Sequence, residues 1–177
     1  MEQPILNEHN KQEYPPMHTA EHILNATMVR MFGCPRSRNA HIERKKSKCD
    51  YLLASAPTEA QVMEIEARVN EVINQHLDVT IEFVDRHHVP AEVDLSKLPQ
   101  DASETLRLVR IGDYDVCACV GAHVQNTAEI APFKSSATTS MKAPGASDSS
   151  SAKAESRIMT SEIVRRKLSF RNVRYEM

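Results

Sequence analysis

The chain has 177 residues, 41% of them apolar, with a formal net charge of -2 and a pI near 6.4. That size suits one domain with one sizeable core, and the charge balance excludes a protein that grips polyanions with its whole surface, so nucleic-acid contact has to come from a local basic patch. No apolar run reaches the ~18 residues of a membrane span, and the first residues, Met1-Glu2-Gln3-Pro4, lack the basic and apolar regions of an export signal. With four cysteines, Cys34, Cys49, Cys117 and Cys119, the expectation is a soluble, cytoplasmic chain whose thiols are free or ligate a metal.

In chain order, residues 1–16 are polar and end in Pro15-Pro16, which predicts an extended N-terminal arm before a helix start. From Met17 to Phe32, apolar residues recur at helical spacing, and Gly33 and Pro35 supply the stop. This helix carries His18-Thr19-Ala20-Glu21-His22. Residues four apart share a helix face, so His18 and His22 can aim two imidazoles at one point. Residues 36–53 read as two short strands around a basic turn, Arg44-Lys45-Lys46, followed by Lys48, with Asp50 at a strand position as a pocket candidate.

Thr58 is the expected N-cap of a second helix, whose apolar stripe is Val62, Ile65, Val69, Val72, Ile73 and His76 or Leu77. Val79 to Val84 alternates as a strand, and His87-His88 follows in a loop where both side chains are expected to be solvated. Thr105–Ile111 and Tyr114–Cys119 flank Gly112-Asp113 as a hairpin, and Thr127–Phe133 reads as one more strand. The span 134–156 is rich in Ser, Ala, Thr and Lys and reads as a flexible surface loop. The last strand carries Arg165, Arg166 and Lys167. The expected organisation is an arm (1–16), a main domain (17–133), a loop (134–156) and a basic C-terminal strand of the same domain (157–177).

The chemistry rests on spacing. Cys119 and His123 form a C-x3-H pair at the end of a strand, where Gly121 would let the backbone turn. With His18 and His22 they make a set of three imidazoles and one thiolate, which suits Zn²⁺ better than Mg²⁺ or Ca²⁺. Cys117 is two residues before Cys119, so it should share its strand face and either line the pocket or fill core space.

The combination of His18-Thr19-Ala20-Glu21-His22 with Cys117-Ala118-Cys119-Val120-Gly121-Ala122-His123-Val124 and Asn126-Thr127-Ala128-Glu129-Ile130 resembles the editing domain shared by alanyl- and threonyl-tRNA synthetases. It looks closest to the free-standing AlaX-type trans-editing proteins, over about Glu13 to Phe133. The resemblance implies an α+β fold, with an antiparallel sheet packed against two main helices and a zinc site between the first helix and a sheet strand. It also implies a zinc ion on His18, His22, Cys119 and His123, and hydrolysis in trans of serine or glycine wrongly esterified to alanine tRNA. Where the family commonly has C-G-G-T-H, this chain has Cys119-Val120-Gly121-Ala122-His123, without that hydroxyl.

With tRNA as the implied partner, Arg44, Lys45, Lys46 and Lys48 are the first candidates for phosphate contact, and Arg165, Arg166 and Lys167 the second. The alternatives are a deacylase of Ser-tRNA(Thr), a zinc-stabilised module that binds tRNA or a synthetase without hydrolysis, and an inverted zinc peptidase. The last follows from the H-x-x-E-H pattern with Glu21 as base. In the editing reading, Glu21 points about 100° away from His22 around the helix and either supports the site from behind or faces solvent.

Overall fold

The computed structural model describes residues 14–95, 98, 103–138 and 164–172. Most of the 1–16 arm and of the 134–156 loop lies outside the described residues. The described part is α+β, with two α-helices and two antiparallel sheets.

Helix α1 spans Pro15–Phe32, so it begins earlier than the sequence suggested. Pro15 and Pro16 belong to the helix because its first positions have no intrahelical partner for an N–H, and a fixed proline φ suits them. Tyr14 precedes them in extended conformation. At the other end Gly33 takes φ 61 and returns its N–H to the Val29 carbonyl at 2.9 Å, a left-handed stop that glycine adopts without strain. Every residue from Met17 to Met28 is buried, so α1 is covered on all sides and its polar residues must find partners inside.

Helix α2 spans Glu59–Asn74 and opens on a capping box. Thr58 Oγ1 accepts the Gln61 N–H at 3.2 Å and Gln61 Oε1 accepts the Thr58 N–H at 2.9 Å. Ile65, Val69, Val72 and Ile73 form its buried stripe. The stripe continues through Leu77, which packs on the core, and not His76, which is exposed at φ 51.

Two sheets replace the single one expected. One has the order β1(Asn39–His41), β2(Ser47–Leu53), β7(Val164–Asn172), β6(Phe133–Thr138); the other is β3(Val79–Asp85), β4(Thr105–Ile111), β5(Asp115–Ala118). In β2, Cys49, Tyr51 and Leu53 face the core while Lys48 and Leu52 face out, the period-two signature of a half-buried strand. The main core joins these residues to α1, α2, Ile111, Phe133 and Leu168; a second cluster of Val93, Leu106 and Leu108 covers the other face of the three-stranded sheet.

The strand expected over Thr127–Phe133 is a 3-10 turn, Thr127–Glu129, followed by β6. Asn126 caps that turn, with Glu129 bonding back to it, and this local alternative outcompetes a strand. Phe133 is fully buried, and its N–H and carbonyl are both held by the Asn70 side chain, at 2.8 and 2.9 Å. Residues 134–138, read as the start of the loop, therefore pair with β7, from Phe133↔Asn172 to Thr138↔Lys167. Ladder bonds come from the backbone, so a Ser-rich segment beside a buried anchor can join a sheet.

Candidate metal centre

Four side chains from two segments meet beside the N-terminal half of α1. His18 and His22 come from that helix; Cys119 and His123 come from the loop after β5. Strand β5 ends at Ala118, so Cys119 lies one residue past the strand and not within it. Its N–H still bonds the Arg107 carbonyl at 3.0 Å, and the Arg107 guanidinium donates to the carbonyls of Cys119 at 2.6 Å and Gly121 at 3.0 Å. The loop is thus shaped by an arginine on β4. Gly121 is not among the residues at positive φ, which are Gly33, Gly112 and His76 in the described chain.

One ligand atom from each of His18, His22, Cys119 and His123 lies within 4.8 Å of the other three. Cys119 Sγ stands 3.5 Å from both His18 Nε2 and His123 Nε2. Nitrogen and sulfur bound to one tetrahedral zinc at their usual bond lengths are separated by about 3.5 Å, so this spacing and donor set fit Zn²⁺.

The far side of each ring explains its orientation. For Nε2 to offer a lone pair, Nδ1 must carry the proton. The Ala122 carbonyl, 3.1 Å from His18 Nδ1, can only accept it. Thr19 Oγ1 donates to the Pro15 carbonyl at 3.0 Å and accepts the Val124 N–H at 3.2 Å; its remaining lone pair faces His123 Nδ1 at 3.1 Å. Position 122 thus acts through its backbone, and the hydroxyl bonded to His123 belongs to Thr19. His22 Nδ1 is buried without a hydrogen bond and faces Asp115 Oδ2 at 3.6 Å. That carboxylate is gripped by both terminal nitrogens of Arg36, at 2.6 and 3.1 Å.

The electrostatics prepare the donors. Burial would push the Cys119 thiol up, but the imidazoles of His123, His18 and His22 gathered around the sulfur outweigh it and bring its pKa down to about 2, so the sulfur is a thiolate at neutral pH. Burial lowers His123 to about 4, against the pull of the neighbouring Cys119 sulfur, which leaves it a neutral imidazole. For His22 burial lowers the pKa, but Asp115, Cys119 and Glu21 together raise it above its usual 6.5. Cys117 is pushed up to about 11, mainly by burial, and stays a thiol.

A cavity of about 470 Å³ opens between α1 and β5, lined by Ala26, Arg30, Arg36, Tyr114, Asp115 and Cys117 among others. Asp115 thus faces this space and His22 at once. Glu21 is buried, at 7% exposure, and is not a surface residue. Its Oε1 accepts from Asn25, and its Oε2 is 4.0 Å from His22 Nε2. Asn25 Oδ1 is held in turn by the Tyr51 hydroxyl and the Ser37 N–H, each at 2.9 Å. Asp50 lies elsewhere, in a small cleft with Arg36, Arg38 and Asn39.

The basic residues are not among those that meet at the centre. Arg44, Lys45, Lys46 and Lys48 are exposed around the β1–β2 turn, with the Arg44 guanidinium 5.3 Å above the Tyr14 ring. Arg165, Arg166 and Lys167 sit on β7 in register with Leu52, Tyr51 and Asp50. His87 and His88 are exposed beside Glu104 and Asp85. Sequence reasoning missed Thr19, Arg36, Arg107 and Asp115. Only Thr19, flanked by the histidine pair, carried a local signal.

The family model of the threonyl and alanyl tRNA synthetase second additional domain matches residues 106–158, a span that contains Cys119 and His123. An alanine–tRNA ligase of Methanococcus vannielii is 32% identical over 133 residues, 73% of this chain and 15% of the ligase. The chain is related to the synthetase second additional domain. Alanine–tRNA ligases of Fervidobacterium nodosum and Caldicellulosiruptor saccharolyticus are 30% and 29% identical over 118 residues, 66% of this chain and 14% and 13% of theirs. The chain thus spans about one seventh of the length of the ligases it matches, and its H-x3-H and C-x3-H motif pairs are the residues that converge. No helix among the described residues is long and apolar enough to cross a membrane.

Proposed function

We propose that the chain hydrolyses the ester of mischarged aminoacyl-tRNA, with serine or glycine on alanine tRNA as its substrates, at a zinc ion held by His18, His22, Cys119 and His123. The observation that carries this reading is the convergence of the two motif pairs within 4.8 Å in a relative of the synthetase second additional domain. When bound, the ion supplies Lewis-acid chemistry at a carbonyl or a water of lowered pKa.

The protein's own groups do the rest. Thr19 and Ala122 hold the Nδ1 protons of His123 and His18 and turn both Nε2 atoms inward. Cys119 brings negative charge without having to release a proton at neutral pH. The cavity beside Asp115, lined by Arg30, Arg36 and Arg110 as well as Glu92, Asp94 and Asp113 and by the neutral thiol of Cys117, receives the acyl-adenosine end of the substrate in this reading. The exposed residues Arg44, Lys45, Lys46 and Lys48, with Arg165, Arg166 and Lys167 on β7, supply phosphate contacts. We read one zinc domain that takes in α1 from Pro15 and β6 to Thr138, completed by the C-terminal strand β7.

The test is release of serine or glycine from tRNA(Ala), and of serine from tRNA(Thr), with and without chelator. Metal-dependent release lost in His22→Ala is expected. Binding without release would establish a non-catalytic tRNA module, and casein cleavage the peptidase reading of Glu21.

A further inference from the structure

We propose that Asp115, clamped by Arg36, is the positioning residue that fixes the tautomer and orientation of His22 in the metal centre. The inference rests on reading the four converging side chains as a metal site. Both groups are almost fully out of water, the His22 side chain at 4% and Asp115 at 6% exposure. His22 Nδ1 is the one buried side-chain nitrogen or oxygen without a hydrogen-bond partner among the described residues, and Asp115 Oδ2 faces it at 3.6 Å.

The other two rings are held by uncharged acceptors, Ala122 O for His18 and Thr19 Oγ1 for His123. His22 faces a carboxylate on its Nδ1 side, Asp115 Oδ2 at 3.6 Å. A carboxylate opposite Nδ1–H does two things: it keeps the proton on Nδ1, leaving the Nε2 lone pair free, and it raises the basicity of that lone pair. Arg36 makes this possible by gripping both oxygens of Asp115. The planar fork of the guanidinium sets the plane of the carboxylate and compensates its charge away from water. Arg36 lies in the connection after α1 and Asp115 opens β5, so the clamp also ties these two elements together across the ring they orient.

Replacing Asp115 by asparagine keeps shape and volume but can turn an amide N–H₂ toward Nδ1. The ring then accepts on Nδ1 and carries its proton on Nε2, where it cannot ligate. Asp115→Asn is therefore expected to bind zinc roughly 10- to 100-fold more weakly than the parent, read by competition with a chelating dye. Its cobalt-loaded form should show altered visible absorption, while the far-ultraviolet circular dichroism of the metal-free protein stays unchanged. Arg36→Lys, which keeps a cation but loses the fork, is expected to show a smaller loss in the same direction. It carries the test if Asp115→Asn does not fold.

Zinc affinity and cobalt spectrum at parental values in the folded variant, with His22→Ala strongly impaired, would overturn the positioning role and leave the metal site standing. If His22→Ala also binds zinc like the parent, it is the reading of the centre that fails.

Discussion

Thr19 Oγ1 lies 3.1 Å from His123 Nδ1 and, 3.2 Å away, accepts the N–H of Val124, so one hydroxyl on α1 orients a ring and fastens the loop that carries it. Thr19→Val leaves two donors facing a methyl group in a fully buried site. An unsatisfied buried donor costs about 1–3 kcal/mol, and a loss of that order is expected in urea unfolding of the metal-free protein. Thr19→Ser should recover most of it.

Acid should weaken metal binding through His22. Cys119 and His123, at about 2 and about 4, have no proton to release near neutrality, whereas the pKa of His22 is raised above 6.5 and its proton must leave before Nε2 can ligate. Zinc affinity should fall about tenfold per pH unit for each proton released as the solution is acidified below the raised pKa of His22. Chelator competition between pH 8 and pH 5.5 checks this; affinity flat over that range would be the wrong result.

Alkali should weaken the fold through Cys49 and Tyr51. Burial raises both well above their ordinary values of 9.0 and 10.0, so the unfolded chain loses these protons first. Stability is then fully present below pH 9 and declines as pH rises past 9 and then past 10. Urea midpoints measured from pH 8 to 10.5 should fall. In Tyr51→Phe the decline should be shallower, after a loss at neutral pH of about 1 kcal/mol for the missing bond to Asn25.

The basic turn is expected to act apart from the centre. Arg44, Lys45 and Lys46 are exposed, so their combined replacement by alanine should change stability by no more than about 0.5 kcal/mol each and leave zinc affinity alone. If they bind phosphates, tRNA affinity should drop, and the slope of log affinity against log salt should shrink by about 0.7–0.9 for each phosphate no longer neutralised. An unchanged slope would move the interface elsewhere, with Arg165, Arg166 and Lys167 next in line.

What could be read from the sequence alone was what depends on neighbours a few residues away. Helical spacing put His18 and His22 on one face, Thr58 marked the start of α2, and the C-x3-H pair stood out beside a strand. Only the tertiary structure brought Cys119 Sγ to 3.5 Å from His18 Nε2, although the motif pairing pointed there. It alone joined Arg36 to Asp115 across 79 positions, gave Thr19 its bond to His123, and divided the strands into two sheets. The same holds for β6, whose Ser-rich segment has no apolar pattern and pairs with β7 because Phe133 is pinned by Asn70. Spacing and capping are local properties of the backbone. Which acceptor meets a buried ring proton, and which strand meets which, is decided when burying the core brings distant segments into contact and leaves each polar group only the partners within reach.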